Sequence, residues 1–139
     1  MGKLIALDSM VFIYLFENDE RYRDFVEPLF QQIESRKVSA CTSMISLIET
    51  LSPAKLSGDE CVTNELTRFF QETPGLTVHP VSWEVAQEAA KLRRENPHLR
   101  TPDSIQIATA LVHKAGTFIT YNVKLKKLKI PGLIIKILT

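Results

Sequence analysis

The feature that most restricts the fold is a short strand without a polar face. Residues 4–7, in the predicted strand Lys3–Leu7, are all apolar, and the run ends at Asp8. A strand that is apolar on both faces must be covered on both faces, which is typical of parallel sheets enclosed by helices. We therefore expect a central parallel sheet with helices on each side.

Strands and helices alternate along the sequence. Further strands are predicted at Val38–Cys41, Leu76–Val81, Phe118–Tyr121 and Leu133–Leu138. Helices are predicted at Ser9–Phe16, Glu20–Arg36, a segment capped by Ser43 that contains Glu49, Asp59–Glu72, Ser82–Glu95 and Thr101–Ala115. This alternation indicates right-handed βαβ units. We expect one three-layer α/β/α domain over residues 1–139, with a mostly parallel sheet of about five strands.

Three local signals refine these elements. Pro28 lies inside the helix predicted at Glu20–Arg36 and is expected to kink or split it, because proline has no N–H to donate. Thr101 is predicted to cap the last helix, with Pro102 at its first position. Gly116 is predicted to end that helix.

The composition is that of a globular protein. Hydrophobic residues are 45% and charged residues 24% of 139 positions, which is ordinary for a folded domain. The longest apolar runs, such as Met10–Phe16, are far shorter than the roughly 20 residues that cross a bilayer. Cys41 and Cys61 have no metal-ligand spacing and are expected to be reduced thiols. These features, and the lack of a signal-peptide pattern, predict a cytoplasmic protein without membrane association.

Charge is divided unevenly along the chain. Residues 1–90 carry seven Lys or Arg and fourteen Asp or Glu, whereas residues 91–139 carry ten and two. The basic half favours a polyanionic partner, although many such runs are only solvated surface, and the acidic half equally suits a basic partner. The candidate contacts to a nucleic acid are Arg93, Arg94, Arg100, Lys124, Lys126 and Lys127.

Three carboxylates occupy positions where an apolar domain has little structural need for them. Asp8 follows the first strand, Glu49 lies in the third predicted helix, and Asp103 opens the last one. Each also has an ordinary interpretation. Asp8 suits a helix cap, Glu49 an exposed surface, and Asp103 the positive end of a helix dipole. However, ligands of parallel sheets bind at the carboxyl ends of strands, where Asp8 lies.

If the fold brings these acids together, their charges repel and require a cation. An oxygen-only site suits a hard divalent ion such as Mg²⁺ or Mn²⁺, and such ions serve chemistry on phosphates. No phosphate-binding glycine loop competes with this interpretation. A phosphoacceptor receiver domain is disfavoured, because Ser9 rather than a second acid follows Asp8. The acids therefore predict a metal-dependent nuclease.

Three blocks resemble the signature blocks of PIN-domain nucleases, in particular VapC-type toxins of toxin–antitoxin modules. They are Ile5–Ser9, Ser43–Leu51 and Thr101–Ala110, of which the third is the most specific. The resemblance covers nearly the whole chain, in order. It implies a compact α/β/α domain that binds Mg²⁺ or Mn²⁺ through acidic residues and hydrolyses RNA phosphodiester bonds.

The resemblance assigns roles by position. Asp8, Glu49 and Asp103 match the first three acids of the family, which implies that they are catalytic and bind the metal. Ser9 matches the hydroxyl residue that often follows the first acid. Where the family commonly has a fourth acid, this sequence has Asn122. Asn122 is thus a candidate fourth ligand, but one negative charge is absent, which leaves open whether one or two metals bind.

The resemblance also implies partners. It indicates RNA as the substrate, a small antitoxin protein as a binding partner, and a homodimer. Phe12, Tyr14 and Phe16 in the first helix belong either to the dimer interface or to the core. Because Asn122 is neutral, one alternative stays open, in which the chain is a catalytically weak PIN-like scaffold that binds RNA or a protein without cutting.

Overall fold

The fold is built on an all-parallel sheet of five strands. The computed structural model describes residues 3–138. The strands are Leu4–Leu7 (β1), Ser39–Ser43 (β2), Leu76–His79 (β3), Thr117–Thr120 (β4) and Ile134–Ile137 (β5), in the order β3-β2-β1-β4-β5. The predicted α/β class and five-stranded sheet are confirmed. The expected domain span of 1–139 includes positions 1, 2 and 139, which lie outside the described residues.

Helices connect the strands and cover both faces of the sheet. They are Ser9–Glu17 (α1), Arg23–Glu34 (α2), Met44–Leu51 (α3), Glu60–Glu72 (α4), Trp83–Glu95 (α5) and Thr101–Val112 (α6), with short 3₁₀ helices at Ala54–Leu56 and Val123–Lys127. Helices α5 and α6 pack on one face, and α1, α2 and α4 pack on the other. Within residues 3–138, no helix is long and apolar enough to cross a bilayer.

Side chains of β1 enter two separate cores. Ala6 packs with residues of α5 and α6, whereas Ile5 and Leu7 pack with those of α1, α2 and α4. This is the burial on both faces that the apolar run predicts. Phe12 is fully buried in the second core, so of its two alternatives the core is correct and the dimer interface is not. Tyr14 and Phe16 are half-buried against the same core.

Two predictions about helix starts and breaks need correction. Arg100, with an extended backbone, occupies the N-cap of α6, so Thr101 is its first residue and Pro102 its second. Helix α2 runs unbroken through Pro28. Its residues Val26, Phe30 and Ile33 are buried on both sides of the proline. Burial of these apolar side chains outweighs the one backbone hydrogen bond that Pro28 lacks.

The end of α6 is set by Lys114 and not by Gly116. Lys114 has a φ of 61°, in the left-handed region. Its N–H donates to the carbonyl of Leu111, and the N–H of Ala115 donates to that of Ala110. This is the Schellman pattern, in which glycine is the usual residue at the left-handed position. The N–H of Gly116 instead donates to the carbonyl of Leu4 at the start of β1.

Replacing Lys114 by glycine should stabilise the fold by about 1 kcal/mol, because glycine adopts the left-handed conformation without a Cβ clash. Lys114 is exposed, so little packing is lost. As a control, Gly116→Ala should leave stability nearly unchanged, since nothing lies within 4 Å of the added Cβ. Denaturant unfolding measures both changes. If Gly116→Ala strongly lowers the free energy of unfolding and Lys114→Gly does not raise it, then Gly116 ends the helix.

Candidate active site

The candidate site lies at the carboxyl edge of the sheet, where the order of strands reverses. The chain builds outward from β1 to β2 and β3, and then crosses to the other side of β1 to form β4. Segments that follow β1 and β4 therefore leave the sheet in opposite directions and open a crevice. Asp8 follows β1 and lies at this crevice, since its N–H donates to the carbonyl of Ile119 in β4 at 3.0 Å.

Two hydrogen bonds fix the carboxylate of Asp8, which is only 7% exposed. Its Oδ1 accepts from the N–H of Ser9 at 2.8 Å, which makes Asp8 the N-cap of α1. Its Oδ2 accepts from the hydroxyl of Thr120 at 2.7 Å. The Thr120 hydroxyl accepts in turn from the N–H of Asn122 at 3.0 Å. The capping role predicted for Asp8 is therefore confirmed, and it coexists with a place at the crevice.

Glu49 reaches the same crevice through Ser9. The hydroxyl of Ser9 donates to Oε1 of Glu49 at 2.5 Å, while the N–H of Ser9 donates to Asp8. Ser9 thus links two of the three predicted acids. Glu49 is half-buried on α3, so it is not the freely exposed residue of the ordinary interpretation.

Asp103 approaches from α6 on the other face of the sheet. It is 9% exposed and forms an ion pair with the exposed side chain of Arg100 at 3.4 Å. Burial raises the pKa of Asp103 above its ordinary value of 3.8, Arg100 opposes the rise, and the charge of Glu49 adds to it. Its place in the first turn of α6 also suits the helix dipole.

The pKa of Asp8 is affected by the charges of the other two acids. Burial is the largest cause that raises it above 3.8, and the charges of Asp103 and Glu49 raise it further. The hydrogen bonds from Thr120 and Ser9 act in the opposite direction, because they stabilise the carboxylate. The fold therefore brings Asp8, Glu49 and Asp103 near enough to repel each other.

The carboxylate oxygens of the three acids are suitable ligands for a hard cation, but they do not form a complete coordination shell. Asp8, Glu49 and Asp103 offer only oxygen ligands. No three Asp, Glu, His or Cys side chains within residues 3–138 converge on one cation position. Glu49 is bonded to Ser9 instead, and Asp103 to Arg100. Since Mg²⁺ commonly keeps several waters and takes one or two carboxylates, these residues fit a partly hydrated ion.

Asn122 lies beside Thr120, the partner of Asp8, but its amide oxygen is already engaged. Oδ1 of Asn122 accepts from the N–H of Lys124 at 3.1 Å and so caps the 3₁₀ helix Val123–Lys127. An amide oxygen has a second lone pair, so a further contact is open to it. The role of Asn122 as a fourth ligand stays a prediction.

The six basic candidates occupy different surroundings. The guanidinium of Arg93 donates to the carbonyl of Leu99 at 3.0 Å and braces the connection between α5 and α6. Arg100 pairs with Asp103. All six residues are exposed, and the other four are Arg94 on α5 and Lys124, Lys126 and Lys127 on the 3₁₀ helix after Asn122. RNA contact stays a prediction for all six residues.

Four buried polar residues beneath the acids were given no role by the sequence patterns. They are Thr42, Ser46, Gln106 and Thr120, each at most 2% exposed. A signal was present for two of them. Ser46 lies three residues before Glu49 and Gln106 three residues after Asp103, which is the spacing of neighbours on one helix face. Both interrupt helices that are otherwise rich in apolar residues.

Comparison with known proteins points to one family. The family model described as the PIN domain matches residues 5–131, whereas no curated protein sequence matches the chain. A toxin–antitoxin complex from Klebsiella pneumoniae is similar in structure, with a TM-score of 0.66 and 25% identity over 94% of this chain and 95% of that chain. A second similar structure is that of VapBC2 from Rickettsia felis bound to a DNA fragment from the VapBC2 promoter. It has a TM-score of 0.74 and 18% identity, over 98% of this chain and 99% of that chain. At 18% identity, this second likeness is one of fold.

Replacing Asp103 by asparagine should leave the metal-free protein equally stable or more stable at neutral pH. The ionised carboxylate is disfavoured in the folded state, because burial and Glu49 raise its pKa. The gain is fully present above that raised pKa, and it disappears as the pH falls below the ordinary value of 3.8, where the carboxyl is mostly protonated in both states. Thermal unfolding of both proteins across this range measures the difference.

A matched control is Asp24→Asn. Asp24 also lies in the first turn of a helix, α2, but it is exposed. Removing the charge of Asp24 should lower the free energy of unfolding by about 0.3–1 kcal/mol at neutral pH, because its interaction with the helix dipole is lost. If Asp103→Asn lowers stability as Asp24→Asn does, then Asp103 is a helix-start residue and the proposed charge strain is absent.

Proposed function

Because the chain belongs to the PIN domain family, we propose that it is a metal-dependent endoribonuclease and the toxin of a toxin–antitoxin pair. The proposal is carried by the bridge of Ser9 between Asp8 and Glu49 where the strand order reverses, together with Asp103, whose charge raises the pKa of Asp8. Among the described residues, Arg100 is the only basic side chain in an ion pair with one of these acids. A cluster of this kind favours a divalent cation, and such a cation serves hydrolysis of phosphodiester bonds.

Asp8 and Asp103 are proposed to hold the ion, and Glu49 either to orient the attacking water or to complete the metal shell. A bound Mg²⁺ or Mn²⁺ supplies positive charge to the phosphate and makes a bound water more acidic. Thr120 and the N–H of Ser9 fix the carboxylate of Asp8 before any ligand arrives, which reduces the cost of ordering the site. In-line displacement would leave 5′-phosphate and 3′-hydroxyl ends, as in the nucleases that the sequence resembles.

The RNA backbone is proposed to bind along the exposed lysines Lys124, Lys126 and Lys127. These residues follow Asn122, whose N–H contacts the Thr120 hydroxyl that also holds Asp8. Contacts between lysine and phosphate add affinity with little sequence information. Arg94 and Arg100 are further candidates, and release of Arg100 from Asp103 would free its guanidinium for a phosphate. Arg93 is also a candidate, but its guanidinium has fewer donors free for a phosphate, because one of them already donates to the carbonyl of Leu99.

An antitoxin protein is proposed as the physiological partner, because the similar structures include toxin–antitoxin complexes. The acidic first half of the chain suits a basic segment of such a partner. A homodimer is proposed as well, from the family resemblance. Cys41 and Cys61 are free thiols, which accords with a reducing, cytoplasmic setting.

A second candidate function follows from Asn122. In a PIN-like scaffold, the chain would bind RNA or a protein without cutting. The specific observation in its favour is that Asn122 is neutral and already caps the 3₁₀ helix through Lys124. The two candidates differ in whether a divalent ion and RNA cleavage accompany binding.

Purified protein should cleave RNA in the presence of Mg²⁺ or Mn²⁺, and cleavage should stop when a chelator is added. Asp8→Asn should lower the rate at least about 100-fold, because loss of a direct ligand exceeds the effect typical of supporting residues. The control is Asp59→Asn, since Asp59 caps α4 through the N–H of Val62 and lies outside the acidic group. Binding of RNA without cleavage under any divalent ion would favour the scaffold, and equal cleavage by Asp8→Asn would refute the site.

Asn122→Asp should tighten binding of Mn²⁺ or Mg²⁺, because ligand charge is a main determinant of divalent affinity. Aspartate is also a good cap, so the bond from the N–H of Lys124 should persist. Calorimetry at fixed ionic strength measures the affinity, and RNA cleavage should be equal or faster. Asn64→Asp adds the same charge at an exposed position of α4 and serves as the control. If Asn122→Asp changes neither property, Asn122 lies outside the site.

A further inference from the structure

The buried amide of Gln106 joins the elements that carry the candidate acids. Gln106 lies one turn after Asp103 in α6 and is 2% exposed. Its Nε2 donates to the hydroxyls of Ser9 at 3.0 Å and Ser46 at 2.9 Å. Its Oε1 accepts from the N–H of Ser43 at 3.4 Å. One side chain of α6 therefore connects to α1, to α3 and to the end of β2.

The orientation of this amide is fixed by its backbone partner. The N–H of Ser43 can only donate, so it must face the oxygen of Gln106. Nε2 then faces the two hydroxyls, and each of its two hydrogens has one acceptor. The reverse orientation would set the NH₂ group of Gln106 against the N–H of Ser43 and leave buried donors without partners, which is strongly unfavourable.

A fixed acceptor at the other end of the network settles the direction of the next two bonds. The carbonyl of Leu7 can only accept, so the hydroxyl of Thr42 donates to it at 2.7 Å. Thr42 has no second hydroxyl hydrogen and must accept from Ser46 at 2.6 Å. The hydrogen of Ser46 is thereby used, and Ser46 accepts from Gln106.

The same reasoning turns the Ser9 hydroxyl toward Glu49. Ser9 accepts one hydrogen from Gln106, and its own hydrogen has two neighbours. One is Oε1 of Glu49 at 2.5 Å, and the other is the hydroxyl of Ser46 at 3.4 Å. A short bond to a carboxylate is much stronger than a long one to a hydroxyl. Ser9 therefore donates to Glu49.

We propose that Gln106 is a positioning residue for the nuclease reaction, which acts on Glu49 through Ser9. By donating to both serines, Gln106 occupies an acceptor site on each and leaves the Ser9 hydroxyl free to donate only outward, to Glu49. The inference rests on the proposed nuclease function. Gln106 itself has no hydrogen bond to Asp8, Glu49 or Asp103 among the described contacts. Its effect is to restrict the rotamers of the flexible Glu49 side chain.

Gln106→Met keeps the length of the side chain and removes both hydrogens. We expect kcat for RNA cleavage to fall about tenfold, as for other residues that support a metal-site ligand. The KM for RNA should stay within about twofold, because Gln106 is buried and does not face the substrate. A change in KM with unchanged kcat would overturn the proposal.

Thr109→Ala is the matched control. Thr109 also lies on α6 and is buried as deeply as Gln106, but its hydroxyl donates to the carbonyl of Ile105 within the helix, outside the network that leads to Glu49. Both variants should lower thermal stability. Only Gln106→Met should lower kcat, whereas a purely structural role for Gln106 predicts that kcat follows stability in the two variants alike.

Action through Ser9 is tested by combining substitutions. If Gln106 works through the Ser9 hydroxyl, the double variant Ser9→Ala with Gln106→Met should be no slower than Ser9→Ala alone. Effects that multiply would mean that Gln106 acts by a separate route, and the proposal would be wrong.

Nuclear magnetic resonance gives a readout that does not depend on activity or on the folding of Gln106→Met. In the wild-type protein, both Nε2 hydrogens of Gln106 should be protected from exchange with water, since each has a buried acceptor. In Ser9→Ala, one of the two should lose protection. Two rapidly exchanging hydrogens in the wild type would overturn the network.

The outcomes separate this inference from the proposed function. Wild-type protein that cleaves RNA, together with Gln106→Met that cleaves it equally fast, would refute the positioning role and leave the nuclease intact. Wild-type protein that never cleaves RNA would refute both, even where the exchange measurement finds the Gln106 bonds in place.

Discussion

Burial of a carboxylate at the end of the central strand is the constraint on which the rest of the site depends. Asp8 has lost most of its contact with water, and the nearby charges of Asp103 and Glu49 add to the cost. The fold offsets that cost with the N–H of Ser9 and the hydroxyl of Thr120. Both donors are consequences of topology, because α1 begins immediately after β1 and β4 is paired alongside it.

The polar residues beneath the acids extend the same principle. Ser9 serves Asp8 with its N–H and Glu49 with its hydroxyl, and Gln106 in α6 supports it from the other face of the sheet. Every hydrogen in this network has an acceptor, so the buried hydroxyls do not carry the penalty of unsatisfied donors. The positions of the acids are therefore tied to packing between α1, α3 and α6 rather than to a mobile loop.

The sequence predicts the strands and helices better than it predicts where they end or which residues hydrogen-bond to the site. Strand β1 was recognisable because apolar residues filled both of its faces, and Asp8 because it interrupted that pattern. The end of α6 was missed because Lys114 takes a left-handed conformation that glycine usually adopts. Thr120 was missed because its bond to Asp8 spans 112 residues, and pairing of β1 with β4 creates that contact only in the folded chain. The spacing of Gln106 from Asp103 places both on one helix face, but its bond to Ser9 spans 97 residues, a separation across which local patterns carry no information.

The central claim is that the acids at this crevice bind a divalent ion. Anomalous diffraction from crystals soaked in Mn²⁺ tests it most directly, because it locates the ion independently of activity. The account predicts an Mn²⁺ peak within about 2.0–2.5 Å of carboxylate oxygens of Asp8 and Asp103, with water completing the shell. Strong Mn²⁺ peaks elsewhere on the protein, with none beside Asp8 at saturating Mn²⁺, would contradict it.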